Sequence, residues 1–440
     1  MLVKSTPMPP RGWNSYDSYG VYINEEQALA NIEAFAEKLA PHGYEFFVLD
    51  ACWYSDGTFM DTYKLRNENK DRPSFIDEWG RFVGAPEHFP RGLKFLADKC
   101  HSLGFKFGVH LMRGLPALAI ERNTPVKGTN GIFARDIADF DSPCAWPAPY
   151  MGAGIDMSKP GAQEYYDSVV EYLANDVGVD FIKFDDVQEY IADIEALAKA
   201  IDKVERPIVL SISPGQQTRP GNWDELKKYA NMVRITCDIW DGPEYSHLEK
   251  KFDRWEQFEN LGDPDCWIDL DMIPIGGIQV HVPEGTPPEC QPVLGCRRKS
   301  WNTDMVNRVV MTQIALARSP LFYGGDLPMS DEKDIAFVTD PDLLDCNVNG
   351  SGAKCIYRWG HSDIRRSDRL NGQGGWIGIF NRSMNDMNFH LPASALGFSE
   401  FPATMRDIWE KKELSAENGI LNISIPKHGC IFIAFEVISK

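Results

Sequence analysis

The stretch VDFIKFDDV, residues 179–187, decides how the chain is read. An apolar run carries one lysine and ends at two adjacent aspartates. Side chains alternate along a strand. Phe181, Lys183 and Asp185 therefore share one face, and Ile182 and Phe184 share the other. The apolar pair suits a surface covered by helices. Lys183 and Asp185 then point inward, with Asp185 at the carboxyl end of the strand. Asp186 falls in the following loop, where it is placed to cap the next helix.

Similar runs recur along the first three quarters of the chain. They are FFVLD (46–50), FKFGVH (105–110), PIVLSIS (207–213), MVRITCD (232–238), CWIDLD (266–271) and PLFYGG (320–325), with a further strand near GWNSY (12–16). Amphipathic stretches separate them, for example NEEQALANIEAFAEKLAPHG (24–43) and DMVNRVVMTQIALARSP (304–320). Glu25 and Glu26 suit a first helical turn, and Gly43 and Gly104 suit positions just past helix ends. About eight strands alternating with helices predict parallel βαβ units closed into a (β/α)8 barrel. After residue 343 short strands follow one another with little helix. KCIYRW, GWIGIFN, MNFHLP, ATMRDIW, LNISIP and CIFIAFEV predict an antiparallel β sandwich. The expected division is a barrel over 1–342 and a β domain over 343–440. The proline-rich stretch 275–300 reads as an insertion at the barrel mouth.

Alternation applied to the other strands brings more carboxylates to the same end. Arg234, Thr236 and Asp238 share a side, as do Val48 and Asp50, and Trp267, Asp269 and Asp271. Barrel active sites lie at the carboxyl end of the strands. Asp50, Asp185, Asp238 and Asp271 are thus expected around one mouth. Paired carboxylates are what glycoside hydrolysis needs. One protonates the leaving oxygen, and the other attacks or activates water; in retaining enzymes they stand roughly 5–5.5 Å apart. Lys183 favours an ionised Asp185, as suits a nucleophile, and negative charge from Asp185 raises the pKa of Asp238, as suits an acid. Metal binding by the clustered aspartates is the weaker reading, because no H-x-H or H-E-x-x-H pattern occurs at the inward positions. No cofactor is called for.

The totals agree. The chain has 440 residues, 43% of them hydrophobic and 12% aromatic, and a net charge of -19. Such an acidic balance argues against nucleic acid or an anionic membrane as partner. A glycoside or oligosaccharide is the expected partner, and a homo-oligomer is compatible. No run reaches the roughly 18 apolar residues of a membrane span, and the opening has no apolar signal core. Ten scattered cysteines form no C-x-x-C pair, so free thiols in a cytoplasmic protein are expected.

At this level of detail the chain resembles glycoside hydrolase family 27, the α-galactosidase and α-N-acetylgalactosaminidase family of clan D. PPRGWNSYDSYG resembles the family opening PPMGWNSW, and VLDACW, ending on Trp53, resembles IDDCW. FIKFDDV is similar to YLKYDNC, WIDLDMIPIG to WNDPDMLxIG, and LARSPLFYGGDL to LLKSPLLIGxDL. GIFNRS, RDIW and IPKHGCIFIAF echo the family's C-terminal β domain. The resemblance implies a retaining exo-glycosidase acting on α-galactose-like residues, with Asp185 as nucleophile and Asp238 as acid/base. It places Arg234 near both sugar and acid, and Asp50, Lys183, Asp271 and Met272 at sugar-binding or site-shaping positions. It makes Trp13 the ring that packs on the sugar.

Departures bear on the substrate. The family's paired aspartates are Asp50-Ala51 here, which removes a carboxylate and leaves room near the 4/6 edge of the sugar. A family tyrosine is His110, and Arg113 follows it as a candidate cation for an anionic or larger group. Val187 replaces a cysteine, so that family disulfide cannot form. Ser213 and Gly215 are small where galactose-specific members carry glutamate and a bulky residue. α-N-acetylgalactosaminidase and β-L-arabinopyranosidase activities are therefore alternatives on the same site. Outside this class stand a non-catalytic carbohydrate-binding relative and a metal-dependent barrel hydrolase.

Overall fold

The computed structural model describes residues 6–55, 74–144, 150–187, 189–213, 218–242, 246–278 and 298–437. Eight strands stand at the eight expected runs. They are β1 (Arg11–Asn14), β2 (Phe46–Leu49), β3 (Lys106–Met112), β4 (Phe181–Asp185), β5 (Val209–Ser213), β6 (Met232–Arg234), β7 (Trp267–Asp269) and β8 (Leu321–Tyr323). They form one parallel sheet in the order β7-β6-β5-β4-β3-β2-β1-β8. The edges meet just after β7, where Ile273 bridges Tyr323 of β8. Ile273 N donates to Phe322 O at 2.8 Å, and Gly324 N donates to Ile273 O at 3.0 Å. The sheet thus closes as a (β/α)8 barrel.

Alternation decides what fills it. Phe46, Val48, Phe181, Met232, Trp267 and Phe322 pack together inside the barrel. Phe47, Leu49, Ile182, Phe184 and Val233 face outward into the main core with the helices. Among these helices are α1 (Glu25–Lys38), α2 (Leu93–Ser102), α3 (Ala162–Glu171), α4 (Ile191–Lys203), α5 (Ser246–Gln257) and α6 (Asp304–Ala317). Asn24 and Gln27 form a capping box at the start of α1, with Glu25 and Glu26 in the first turn. Among the described residues no helix is long and apolar enough to cross a membrane.

Gly12 shows how tightly the lumen is filled. A Cβ there would lie 2.4 Å from Phe46 O and 2.7 Å from Phe322 Cε1. Gly12→Ala is expected to destabilise the protein by about 1–3 kcal/mol, the usual cost of overpacking a core. Thermal unfolding would show this as a lowered Tm. An unchanged Tm would contradict a close-packed lumen.

Between β3 and α3 the chain makes a small antiparallel sheet from Leu115–Pro116, Ala138–Asp139 and Met151–Ile155. Most of the expected insertion at 275–300 lies outside the described residues. Its two ends pair antiparallel, Gly277–Ile278 with Arg298–Lys299.

Helices α7 (Glu332–Thr339) and α8 (Pro341–Asn349) lead into the C-terminal part, and α8 runs through position 343. The strands there are β9 (Lys354–Trp359), β10 (Ser362–Asp368), β11 (Gly375–Asn381), β12 (Met387–Pro392), β13 (Thr404–Asp407), β14 (Lys412–Glu413), β15 (Ile420–Ile425) and β16 (Cys430–Glu436). A six-stranded sheet, β9-β10-β11-β16-β13-β14, faces a β12-β15 pair. Ile364, Ile377, Ile379, Phe389, Leu391, Leu421 and Ile433 fill the space between them. The sandwich rests on α5 and α6. Arg382 pairs with Glu249 and Asp253, and Trp409 Nε1 donates to Thr312 Oγ1 at 2.9 Å.

Candidate active site

The carboxyl ends of the strands bring polar side chains inward. Lys183 donates to Asp50 Oδ2 at 2.8 Å, and Asn14 Nδ2 donates to the same oxygen at 2.7 Å. Ala51 N donates to Asp50 Oδ1 at 2.8 Å. Burial opposes charge on Asp50, but Lys183 and His110 more than offset it, so its pKa is lowered. Burial likewise works against the Lys183 ammonium, and Asp50 and Asp185 overcome it.

Asp185 is held from β3. Its carboxylate only accepts, so His110 Nε2–H donates, at 3.3 Å from Asp185 Oδ2. Asp186 N donates to Asp185 Oδ1 at 2.8 Å. Burial again raises the pKa, but the His110 hydrogen bond and the charges of Arg234 and Lys183 win, and the carboxyl sits far below its ordinary range. His110 is itself fully buried, and its carbonyl accepts from Trp53 Nε1 at 2.8 Å. His110→Phe removes the donor while keeping a ring of similar shape. The acidic limb of the kcat/KM profile should then move to higher pH, because Asp185 loses part of what keeps it ionised. A limb that stays in place would show that His110 does not hold this charge.

Asp238 is paired with Arg234. Arg234 Nη1 stands 2.8 Å from Asp238 Oδ1 and 3.4 Å from Asp271 Oδ1. Asp271 Oδ2 also accepts from Ile239 N at 2.6 Å. The Asp238 side chain keeps 67% of its surface exposed. Partial desolvation by its surroundings raises its pKa. Arg234 opposes the rise, and the negative charges of Asp271 and Asp185 add to it. Asp50, Asp185 and Asp238 all act on the Tyr16 phenol, whose pKa burial and these charges push well up. The Lys183 ammonium stands 5.9 Å from the centre of that ring. Two carboxylates in one region thus have opposite tendencies: Asp185 stays ionised and Asp238 retains a proton more readily.

Several expected site residues lie elsewhere. Trp13 does not stand with the inward carboxylates. It is fully buried, stacks on Phe47 with ring centres 4.5 Å apart, and donates Nε1–H to Gly325 O at 2.8 Å. β1 turns Gly12 and Asn14 inward, so Trp13 points to the helices. Trp53 is buried too, and supports His110 rather than lining the mouth. Arg113 is a brace. It donates to Asp186 O at 3.0 Å and to Ser142 O at 3.1 Å, and its guanidinium lies 3.5 Å from the Tyr190 ring centre. Ala51, next to Asp50, is buried in the main core. Ser213 ends β5 beside Asp185 in register and is buried; Gly215 lies outside the described residues. Met272 packs against the lumen cluster.

The structure adds residues that the sequence reading passed over. Asn14 and Tyr16 join the site from the β1 end. Asn14 could have been found by the alternation used for β4, given Gly12 inward. Asp17 is buried with Oδ2 unpartnered, and burial and the charge of Asp271 push its pKa well up. Among the described residues no group of three or more His, Cys, Asp or Glu is placed to hold a metal ion.

A barrel with carboxylates at the carboxyl ends of its strands, joined to an antiparallel sandwich, has the build of a sugar-cleaving enzyme. Comparisons with known proteins agree. Residues 369–435 match the family model described as alpha galactosidase C-terminal beta sandwich domain. The solved structure of a family 27 β-L-arabinopyranosidase from Geobacillus stearothermophilus is 34% identical, with a TM-score of 0.89, over 99% of this chain and 98% of that one. A candidate α-N-acetylgalactosaminidase from Bacillus halodurans is 30% identical, with a TM-score of 0.82, over 98% and 99%. Alpha-galactosidase A of Cellvibrio japonicus is 22% identical over 97% of this chain and 91% of its own. Fold, site and relatives together define a glycoside hydrolase. The chain belongs to glycoside hydrolase family 27.

Proposed function

We propose that this chain is a retaining exo-glycosidase for terminal sugars of the galactose configuration, and that β-L-arabinopyranosides are its best substrates. The observation that carries the mechanism is the unlike settings of the two carboxylates: Asp185 is held by buried His110 at 3.3 Å, and Asp238 stands exposed beside Arg234 at 2.8 Å. In the first step Asp185 attacks the anomeric carbon. Asp238 gives its proton to the glycosidic oxygen, and the aglycone leaves as an alcohol. In the second step Asp238 takes a proton from water, and the resulting nucleophile displaces Asp185 from the same carbon. Two inversions give net retention. Lys183 and Asn14 hold Asp50 rigid for contact with sugar hydroxyls, and Arg234 sets the spacing of Asp238 and Asp271.

The sugar preference rests on Ala51 and on the relatives. β-L-arabinopyranose has the ring configuration of α-D-galactopyranose without the hydroxymethyl group. Position 51 is alanine, so a 6-hydroxyl would find no carboxylate partner from that position, a cost the arabinoside avoids. The Geobacillus relative, a β-L-arabinopyranosidase by name, supports the same reading. The test compares kcat/KM for para-nitrophenyl β-L-arabinopyranoside, α-galactoside and α-N-acetylgalactosaminide. The arabinoside should lead the galactoside by about tenfold or more, the scale set by one small substituent in a pocket. A preference for the galactoside would overturn the sugar assignment. Cleavage of the acetylated sugar in preference to both would assign the site to N-acetylgalactosamine instead.

A further inference from the structure

Trp301 is 59% exposed, and its ring and backbone are both tied to neighbouring residues. The Arg298 guanidinium lies 3.7 Å from its ring centre. Arg298 also makes two bonds to Asp241, at 2.5 and 2.9 Å, and the Asp241 side chain is fully buried. Trp301 N donates to Asp241 Oδ2 at 2.6 Å, and Gly242 N donates to Asn302 Oδ1 at 3.1 Å. Asp241 is three residues beyond Asp238. At the near end of that loop Ile239 N is tied to Asp271, and Trp240 packs on Tyr16 with ring centres 6.0 Å apart. One run of bonds therefore fixes Trp301 to the loop that carries Asp238.

Scattered exposed apolar side chains need no explanation. An indole packed on an arginine that is itself bonded to a buried carboxylate has less rotamer freedom to lose when a ligand arrives, which favours a binding platform. Its place tells what it binds. The acid must touch the leaving oxygen, so the group beyond that oxygen leaves past Asp238 toward the rim. We infer that Trp301 is the platform for the aglycone, with the apolar face of a cyclic leaving group, a second sugar or an aryl ring, lying on the indole face not covered by Arg298. This rests on the glycosidase reading above.

The test uses the whole enzyme and three substrates with one glycone: a disaccharide, the para-nitrophenyl glycoside and the glycosyl fluoride. The fluoride has no ring to stack. Trp301→Ala should lower kcat/KM about tenfold on a ring-bearing substrate, which equals about 1.4 kcal/mol, and change it less than about twofold on the fluoride, for which no stacking is lost. A loss confined to the disaccharide or to the aryl glycoside supports the platform and says which ring it prefers. Trp301→Phe should keep most of the activity and shows that the rim still folds. Equal losses on all three substrates, or no loss on any, would overturn the inference. Failure of the unmodified enzyme to cleave the fluoride would instead refute the glycosidase reading, and this inference with it.

Discussion

Asp185→Ala should lower kcat by about 10⁴-fold or more, the scale on which a covalent nucleophile is missed. His110, Lys183 and Arg234 are arranged to keep this carboxylate ionised, so no neighbouring group is prepared to replace it. Added azide should restore slow turnover by entering the vacated space, and its product should have the inverted anomeric configuration, because only one displacement then occurs. Circular dichroism should remain that of the parent. The variant should also lose stability at neutral pH. The folded pKa of Asp185 is depressed, so its stabilising contribution is present above the ordinary carboxylate pKa and is lost only as pH falls through the folded value. Full activity in Asp185→Ala would remove the residue from the chemistry.

Asp238→Ala should affect the two steps differently. A glycosyl fluoride needs no protonated leaving oxygen, so glycosylation proceeds, while the second step loses its general base. Steady-state kcat should fall about 10²–10⁴-fold, the usual contribution of acid–base catalysis. The apparent KM should fall with it as the glycosyl-enzyme accumulates, and azide should raise the rate by attacking without a base. The pH profile gives an independent reading. With an O-glycoside the first step needs Asp238 protonated, so kcat/KM of the unmodified enzyme on that substrate should fall as pH rises through its raised pKa. In the variant that limb should disappear. An alkaline limb identical in both proteins, with no response to azide, would assign the acid/base role elsewhere.

Much of this arrangement was legible in alternation alone. The period of two in β4 placed Phe181, Lys183 and Asp185 in the lumen, where Phe181 packs with Phe46 and Phe322. It failed where strands end. β6 stops at Arg234, so Asp238 is placed by irregular chain and by its contact with Arg234, not by strand parity. The resemblance puts Trp13 on the sugar, although the parity of its own strand points it outward. β10 was missed because SDIRRSD reads as a polar loop. Asp363 and Arg365 are buried all the same, since the sandwich turns that strand against α5, with Arg365 4.1 Å from the Trp255 ring centre and Arg358 paired to Asp363. Lys251 is a similar case. Adjacent lysines in a helix read as a solvated face, whereas Lys251 is fully buried and unpartnered. Burial lowers its pKa to about 8 against the opposing charges of Asp271, Asp269 and Asp17. Such tertiary compensation leaves no periodic trace in sequence.

The central claim is that Asp185 bonds to the anomeric carbon. The direct measurement is to inactivate the enzyme with a 2-deoxy-2-fluoro glycosyl fluoride of its preferred sugar, digest it, and locate the added mass. The account predicts one labelled sugar per chain, on Asp185, with reactivation as the label is released. A label on another carboxylate, or turnover with an inverted product and no label, would contradict it.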